Sequence, residues 1–143
     1  MARTYAMQAK LQWYYIFDIE QPVGVNCPNA RDDVMLAQYL LGVWLSRIPY
    51  DPEIDTFLKD KLPVSTDGIF GNKTKAYIEA FEIWCNRPGQ GGVTADSRLD
   101  PMGAASKKIW RLNTELFFAG GLQGGIPATA IRFPPELKAN LFR

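Results

Sequence analysis

Asp67-Gly68-Ile69-Phe70-Gly71-Asn72-Lys73-Thr74-Lys75-Ala76-Tyr77-Ile78-Glu79-Ala80-Phe81-Glu82 holds a tight turn, a helix start and an amphipathic helix in one stretch. Asp-Gly marks the turn. Glycine takes positive φ without steric cost, and the aspartate side chain accepts nearby backbone N–H groups. Ile69 and Phe70 set two apolar side chains beside it, and Gly71 lets the chain swing into the helix. If Gly71 has positive φ or tight packing, Gly71→Val destabilises the fold by ~1–3 kcal/mol. From Asn72 onward the spacing is helical. Thr74, Tyr77, Ile78, Phe81 and Cys85 share one face, with Lys73, Lys75, Glu79 and Glu82 largely on the other.

Upstream, Asn29 reads as an N-cap, and Asp32 and Asp33 place negative charge in the first turn of a helix. Val34, Ala37, Leu41 and Trp44 recur at helical spacing. Met35, Leu36, Tyr39 and Val43 make that helix apolar nearly all round, so it is buried on more than one side. Further upstream, residues 11–19 are rich in aromatic and β-branched side chains (Trp13, Tyr15, Phe17, Ile19) and read as a strand or extended segment. Between the two helices, Pro49-Tyr50-Asp51-Pro52 is a break, and 53–61 reads as a short helix with Ile54, Phe57 and Leu58 on its apolar side. Downstream, Asp100-Pro101 reads as a cap followed by proline at the first helical position. The helix it opens runs to Phe118, with Ala105, Ile109, Leu112 and Leu116 inward. Gly120-Gly121 and Gly124-Gly125 then open a tail with Pro127, Pro134 and Pro135 and a final short helix through Leu137 and Leu141.

The central stretch resembles the second helix of the peptidoglycan-binding-like domain family, whose pattern is Asp-Gly-x-Phe-Gly-x-x-Thr-x-x-Ala-(aliphatic)-x-x-Phe-Gln. Asp67, Gly68, Phe70, Gly71, Thr74 and Phe81 fit directly; Ala76, Tyr77 and Ile78 are a shifted version of the small and aliphatic pair, and Glu82 replaces glutamine. The family's first helix, Asp-Val-x-x-Leu-Gln-x-x-Leu, is matched by Asp33, Val34, Gln38 and Leu41, with Ala37 for leucine. Its third helix is matched by Ile109, Leu112 and Asn113. Residues 47–63 depart from it as an insertion. The resemblance covers about Asp33 to Asn113 and implies a mainly α fold with a three-helix core, placed over 29–118. An N-terminal strand and connector over 1–28, the inserted short helix, and a Gly/Pro-rich C-terminal tail with a short helix over 119–143 are read from the residues and lie outside it.

It also implies a non-catalytic module that attaches to cell-wall polymer. The residues carried over as turn formers and candidate ligand contacts are Gln38, Asp67, Gly68, Phe70, Gly71, Thr74 and Asn113. The alternative is a structural or adaptor subunit of a larger assembly, such as a virion or secretion machine. Apolar side chains outside the family core favour self-association or a protein partner through the N-terminal strand or C-terminal tail: Trp13, Tyr15 and Phe17; Ile54, Phe57 and Leu58; Phe133, Leu137 and Phe142.

Composition bounds the chemistry. The 143 residues carry a formal charge of +1, too little for a nucleic-acid footprint. Histidine is absent, which removes the commonest general base and metal ligand and every Ser–His–Asp or Cys–His arrangement. Asp67, Glu79 and Glu82 read as one turn acid and two solvated helix acids, not as a catalytic pair. No enzyme activity, cofactor or metal site is expected. Cys27 and Cys85 are expected to be reduced thiols. The first residues have no apolar signal-peptide core, and no segment approaches the ~18 apolar residues of a membrane span. The expectation is a chain made in the cytoplasm, with virion, secretion machine or cell envelope open as its destination.

Overall fold

The computed structural model describes residues 2–9, 12–102, 107–119 and 135–137, apart from the side chains of 5–9, 12–15 and 116–119. Helices supply most of the regular structure: α1 (Arg31–Arg47), α2 (Pro52–Phe57), α3 (Asn72–Cys85) and α4 (Lys108–Ala119). The strands are β1 (Arg3–Ala9), β2 (Gln12–Asp18), β3 (Val23–Gly24) and β4 (Arg98–Leu99). β1 and β2 form an antiparallel hairpin with Thr4 opposite Phe17. β3 and β4 form a second antiparallel pair, with Val23 opposite Leu99. The fold is mainly helical, and its strands are few and short.

α1 packs against both α3 and α4, which is why its sequence is apolar nearly all round. Trp44 sits at the centre of this packing. Its ring meets Phe81 edge-on at 5.2 Å and Trp84 at 5.9 Å. Phe17, Ile19 and Val23 from the N-terminal segment and Leu137 from the C-terminal one are buried in the same core. So are Ile54 and Leu58 of the inserted region, whereas Phe57 is 37% exposed. Several apolar side chains that read as surplus in the sequence are therefore core. Trp13, Tyr15, Phe133, Leu141 and Phe142 have side chains outside the described residues.

Several sequence expectations are corrected. The strand expected over 11–19 is Gln12–Asp18, and it pairs with β1, whose Ala, Met and Gln gave little strand signal. Ala30, not Asn29, stands at the N-cap of α1. Asn29 has φ 51° and serves β3 instead: its Oδ1 accepts from Gly24 N at 2.8 Å and its Nδ2 donates to Gly24 O at 2.9 Å. The short helix is Pro52–Phe57, begun by Asp51 accepting from the backbone N–H of Glu53 and Ile54. The last long helix starts at Lys108, not Pro101. Asp100 pairs with Arg98, and Met102 N donates to the buried Asp18 carboxylate at 2.9 Å, which draws this stretch toward the hairpin. Ala105 lies outside the described residues.

Glu82 is the largest departure. It was expected to be solvated, but it is buried, accepting from Asp96 N at 3.0 Å, Ser97 N at 2.9 Å and Lys108 Nζ at 2.5 Å. Lys108 is itself buried and also reaches Asp96 and the Arg98 carbonyl. Burial pushes the Glu82 carboxyl upward, and the Lys108 ammonium opposes it. The position borders the apolar face of α3, so a long side chain there reaches α4 and the 96–98 turn.

Asn113 ties the hairpin to α4. Its Oδ1 accepts from Phe17 N at 2.8 Å, and its Nδ2 donates to Phe17 O at 2.7 Å and Ile109 O at 2.9 Å. The amide thus contacts β2 as a neighbouring strand would. Asn113→Ala removes these partners from two buried backbone groups, each worth about 1–3 kcal/mol when left unsatisfied. The expected result is a lower denaturation midpoint together with faster exchange of the Phe17 amide. An unchanged midpoint would show that the hairpin is not anchored there.

Candidate functional site

The Asp67–Gly68 turn is built by α1. Gln38 is buried on the face that meets the turn. Its Oε1 accepts from Gly68 N at 2.9 Å. Its Nε2 lies 3.0 Å from Asp67 Oδ1, 3.1 Å from Ile69 O and 2.9 Å from Thr74 Oγ1. The amide's two hydrogens are shared among those three oxygens. Asp67 Oδ1 also accepts from Ile69 N at 3.0 Å, and Thr74 Oγ1 donates to Ile69 O at 3.3 Å. Four of the residues singled out in the sequence therefore meet in one hydrogen-bonded knot: Gln38, Asp67, Gly68 and Thr74. Phe70 packs half-buried against the core beside it. Asn113 does not join them; it holds the hairpin.

The two glycines of the turn differ. Gly68 has φ +74°, and a Cβ there would sit 2.8 Å from Arg31 Cγ and 3.0 Å from the Arg31 carbonyl oxygen. Gly71 is extended at φ −150°, with nothing within 4 Å of an added Cβ. The expected strain at Gly71 is absent, and the predicted cost of Gly71→Val loses its basis. Gly71 is the N-cap residue of α3, its carbonyl accepting from Lys75 N at 3.0 Å.

An open cleft of about 200 Å³ lies against the knot. Beyond Gln38, Asp67, Gly71 and Thr74 it is lined by Ser65, Ile69, Asn72, Lys73 and Tyr77. Sequence reasoning placed none of these five in the site, although Asn72 and Lys73 follow directly on the turn. Arg31 was missed as well. Its guanidinium forks onto Glu136 at 2.8 and 2.9 Å, and its Nη1 donates to the Asp67 carbonyl at 2.6 Å. Residues 135–137 are thereby fastened beside the turn, with Leu137 of that segment buried in the core. No local pattern signals a contact across that span of chain.

The titratable groups divide clearly. The Ile69 N–H, then the Gln38 amide, hold the Asp67 carboxyl below its ordinary value. Burial drives the Cys85 thiol up to about 11 and raises Cys27 too; both are free thiols. Glu79 pairs with Lys75 at 3.7 Å and Glu82 with Lys108, so Asp67, Glu79 and Glu82 are engaged at three separate places. Among the described residues, no cluster of three potential metal ligands occurs, and no helix is long and apolar enough to cross a membrane.

No family model matches the chain, and no curated protein or solved structure matches it.

Two measurements follow from this geometry. Gly68→Ala puts an L side chain in the left-handed region against Arg31 and is expected to destabilise the protein by at least about 1–2 kcal/mol. Gly71→Ser is expected to stay within about 0.5 kcal/mol of the parent, because serine suits an extended N-cap. Equal melting temperatures for the two variants would contradict this assignment. The second measurement concerns pH. The folded value of Asp67 lies below its ordinary 3.8, so its contribution is complete above that value and is lost as pH falls through the folded one. Protection of the Ile69 amide is expected to fall in acid, and Asp67→Asn should remove that dependence. Protection that is flat with pH in the parent would argue against a working carboxylate there.

Proposed function

We propose that the protein is a non-catalytic, peptidoglycan-binding-like module that holds cell-wall polymer at the cleft beside the Asp67 turn. One observation carries the reading: Gln38, Asp67, Gly68 and Thr74, which fit the family's first and second helices, converge on one knot bordering a cleft. On this reading α1, α3 and α4 form the three-helix core, and the hairpin, α2 and the C-terminal residues are additions to it. The role proposed is attachment without cleavage. Histidine is absent, and Asp67, Glu79 and Glu82 are tied to separate partners, so these three acids do not act as a pair across the cleft.

A second reading, a structural or adaptor subunit in a virion or secretion machine, is favoured by the hairpin. β1 and β2 form a sheet of their own, and two-stranded hairpins gain much from added neighbours. Co-sedimentation with purified sacculi separates the two readings. The first expects the protein in the pellet with no soluble muropeptide released. Protein that stays in the supernatant, while light scattering reports a multiple of the chain mass, would favour the second.

A further inference from the structure

A wall polymer offers two chemistries, glycan and peptide. Sugar rings are commonly held by stacking their C–H faces on an exposed aromatic ring. Tyr77 is the aromatic residue lining this cleft, and it is 1% exposed, with its hydroxyl donating to the Lys61 carbonyl. The hydrogen-bonding groups of Gln38 and Thr74 are engaged in the turn. What the cleft presents to solvent is the Asp67 carboxylate with the Ser65 hydroxyl bonded to it, the Lys73 ammonium, the Asn72 amide and the apolar side chain of Ile69, which is 64% exposed. Asp67 is ionised at neutral pH, as an ordinary aspartate is, and the Ile69 N–H and the Gln38 amide hold its carboxyl lower still. Lys73 is exposed and forms no ion pair among the described residues. At about 200 Å³ the cleft is smaller than the roughly 300–1,000 Å³ of sites that enclose a drug-sized molecule, so it suits the end of a short chain.

We infer that the cleft takes a short peptide bearing both a free ammonium and a free carboxylate: the peptide branch of the wall polymer, not its glycan. Asp67 meets the ammonium, Lys73 meets the carboxylate, and Ile69 offers apolar contact. The inference rests on the reading of this cleft as a polymer site.

The test is a titration of the isotopically labelled full chain, followed by NMR. The probes are stem peptides freed from sacculi by an amidase, the peptide-free glycan strands from the same digest, and stem peptides with their amines acetylated or their carboxylates amidated. Free peptides are expected to shift the amides of Gly68, Ile69 and Lys73, and glycan strands to leave them in place. Each blocked peptide should bind about two- to fivefold more weakly, the range for partly exposed ion pairs. Lys73→Gln should weaken the free peptide by a similar factor and leave the amidated one unchanged, since one contact cannot be lost twice. Glycan strands that shift these amides while free peptides do not would overturn the inference and leave wall binding intact. Blocked peptides that bind as tightly as free ones would overturn the charge pairing. If neither probe nor intact sacculi bind, the wall-binding reading itself fails.

Discussion

The amide of Gln38 is the interaction on which the rest of the site depends. It is a buried polar group facing a turn that carries a positive-φ glycine, and it satisfies both ends of that turn: the Gly68 N–H on one side, the Asp67 carboxylate and the Ile69 carbonyl on the other. A buried amide left unpaired is costly, and so is a buried backbone N–H. Each group here pairs with the other, so the turn and α1 hold one another in register. The cleft, the start of α3 and the placing of Asp67 and Lys73 follow from that register.

The same device recurs. Asp33 of α1 accepts from the backbone N–H of Glu20 and Gln21, where the hairpin leads toward β3. Glu82 of α3 accepts from Asp96 and Ser97, and Asn113 of α4 pairs with both backbone groups of Phe17. In each case a polar side chain on a helix reaches out of the helical packing to the backbone of another segment: a connection at Asp33 and Glu82, strand β2 at Asn113. Burial raises the carboxyl pKa of Asp33 and Glu82, opposed by the N–H groups they accept from, and by Lys108 at Glu82. The apolar core supplies the bulk of the attraction, and these polar contacts select which loop conformation the core accepts.

Legibility in the sequence follows the range of the forces. The turn at Asp67–Gly68 and the helix Asn72–Cys85 were readable because their signals are local: turn chemistry, then apolar spacing at the helical period. The burial of α1 on several sides was readable for the same reason. The hairpin partner Arg3–Ala9 was not, since its pairing comes from β2 and not from its own residues. Pro101 looked like a helix start because proline at a first position is a local rule, and the contact of Met102 with Asp18 overrode it. Glu82, Arg31 and Glu136 were opaque because their partners lie far along the chain. Of the candidate site, the turn residues could be read, while the cleft's charged rim needed the folded geometry.

Whether the Gln38 amide holds the turn is decided by amide exchange at Gly68 in the parent protein and in Gln38→Met, which keeps the bulk of the side chain and removes its amide. The Gly68 amide is expected to be protected in the parent to a degree comparable with interior α1 amides. In the variant this protection should collapse while the amides of β1 and β2 keep theirs. A Gly68 amide that exchanges freely in the parent, or one whose protection survives in Gln38→Met, would contradict the claim that this side chain holds the turn.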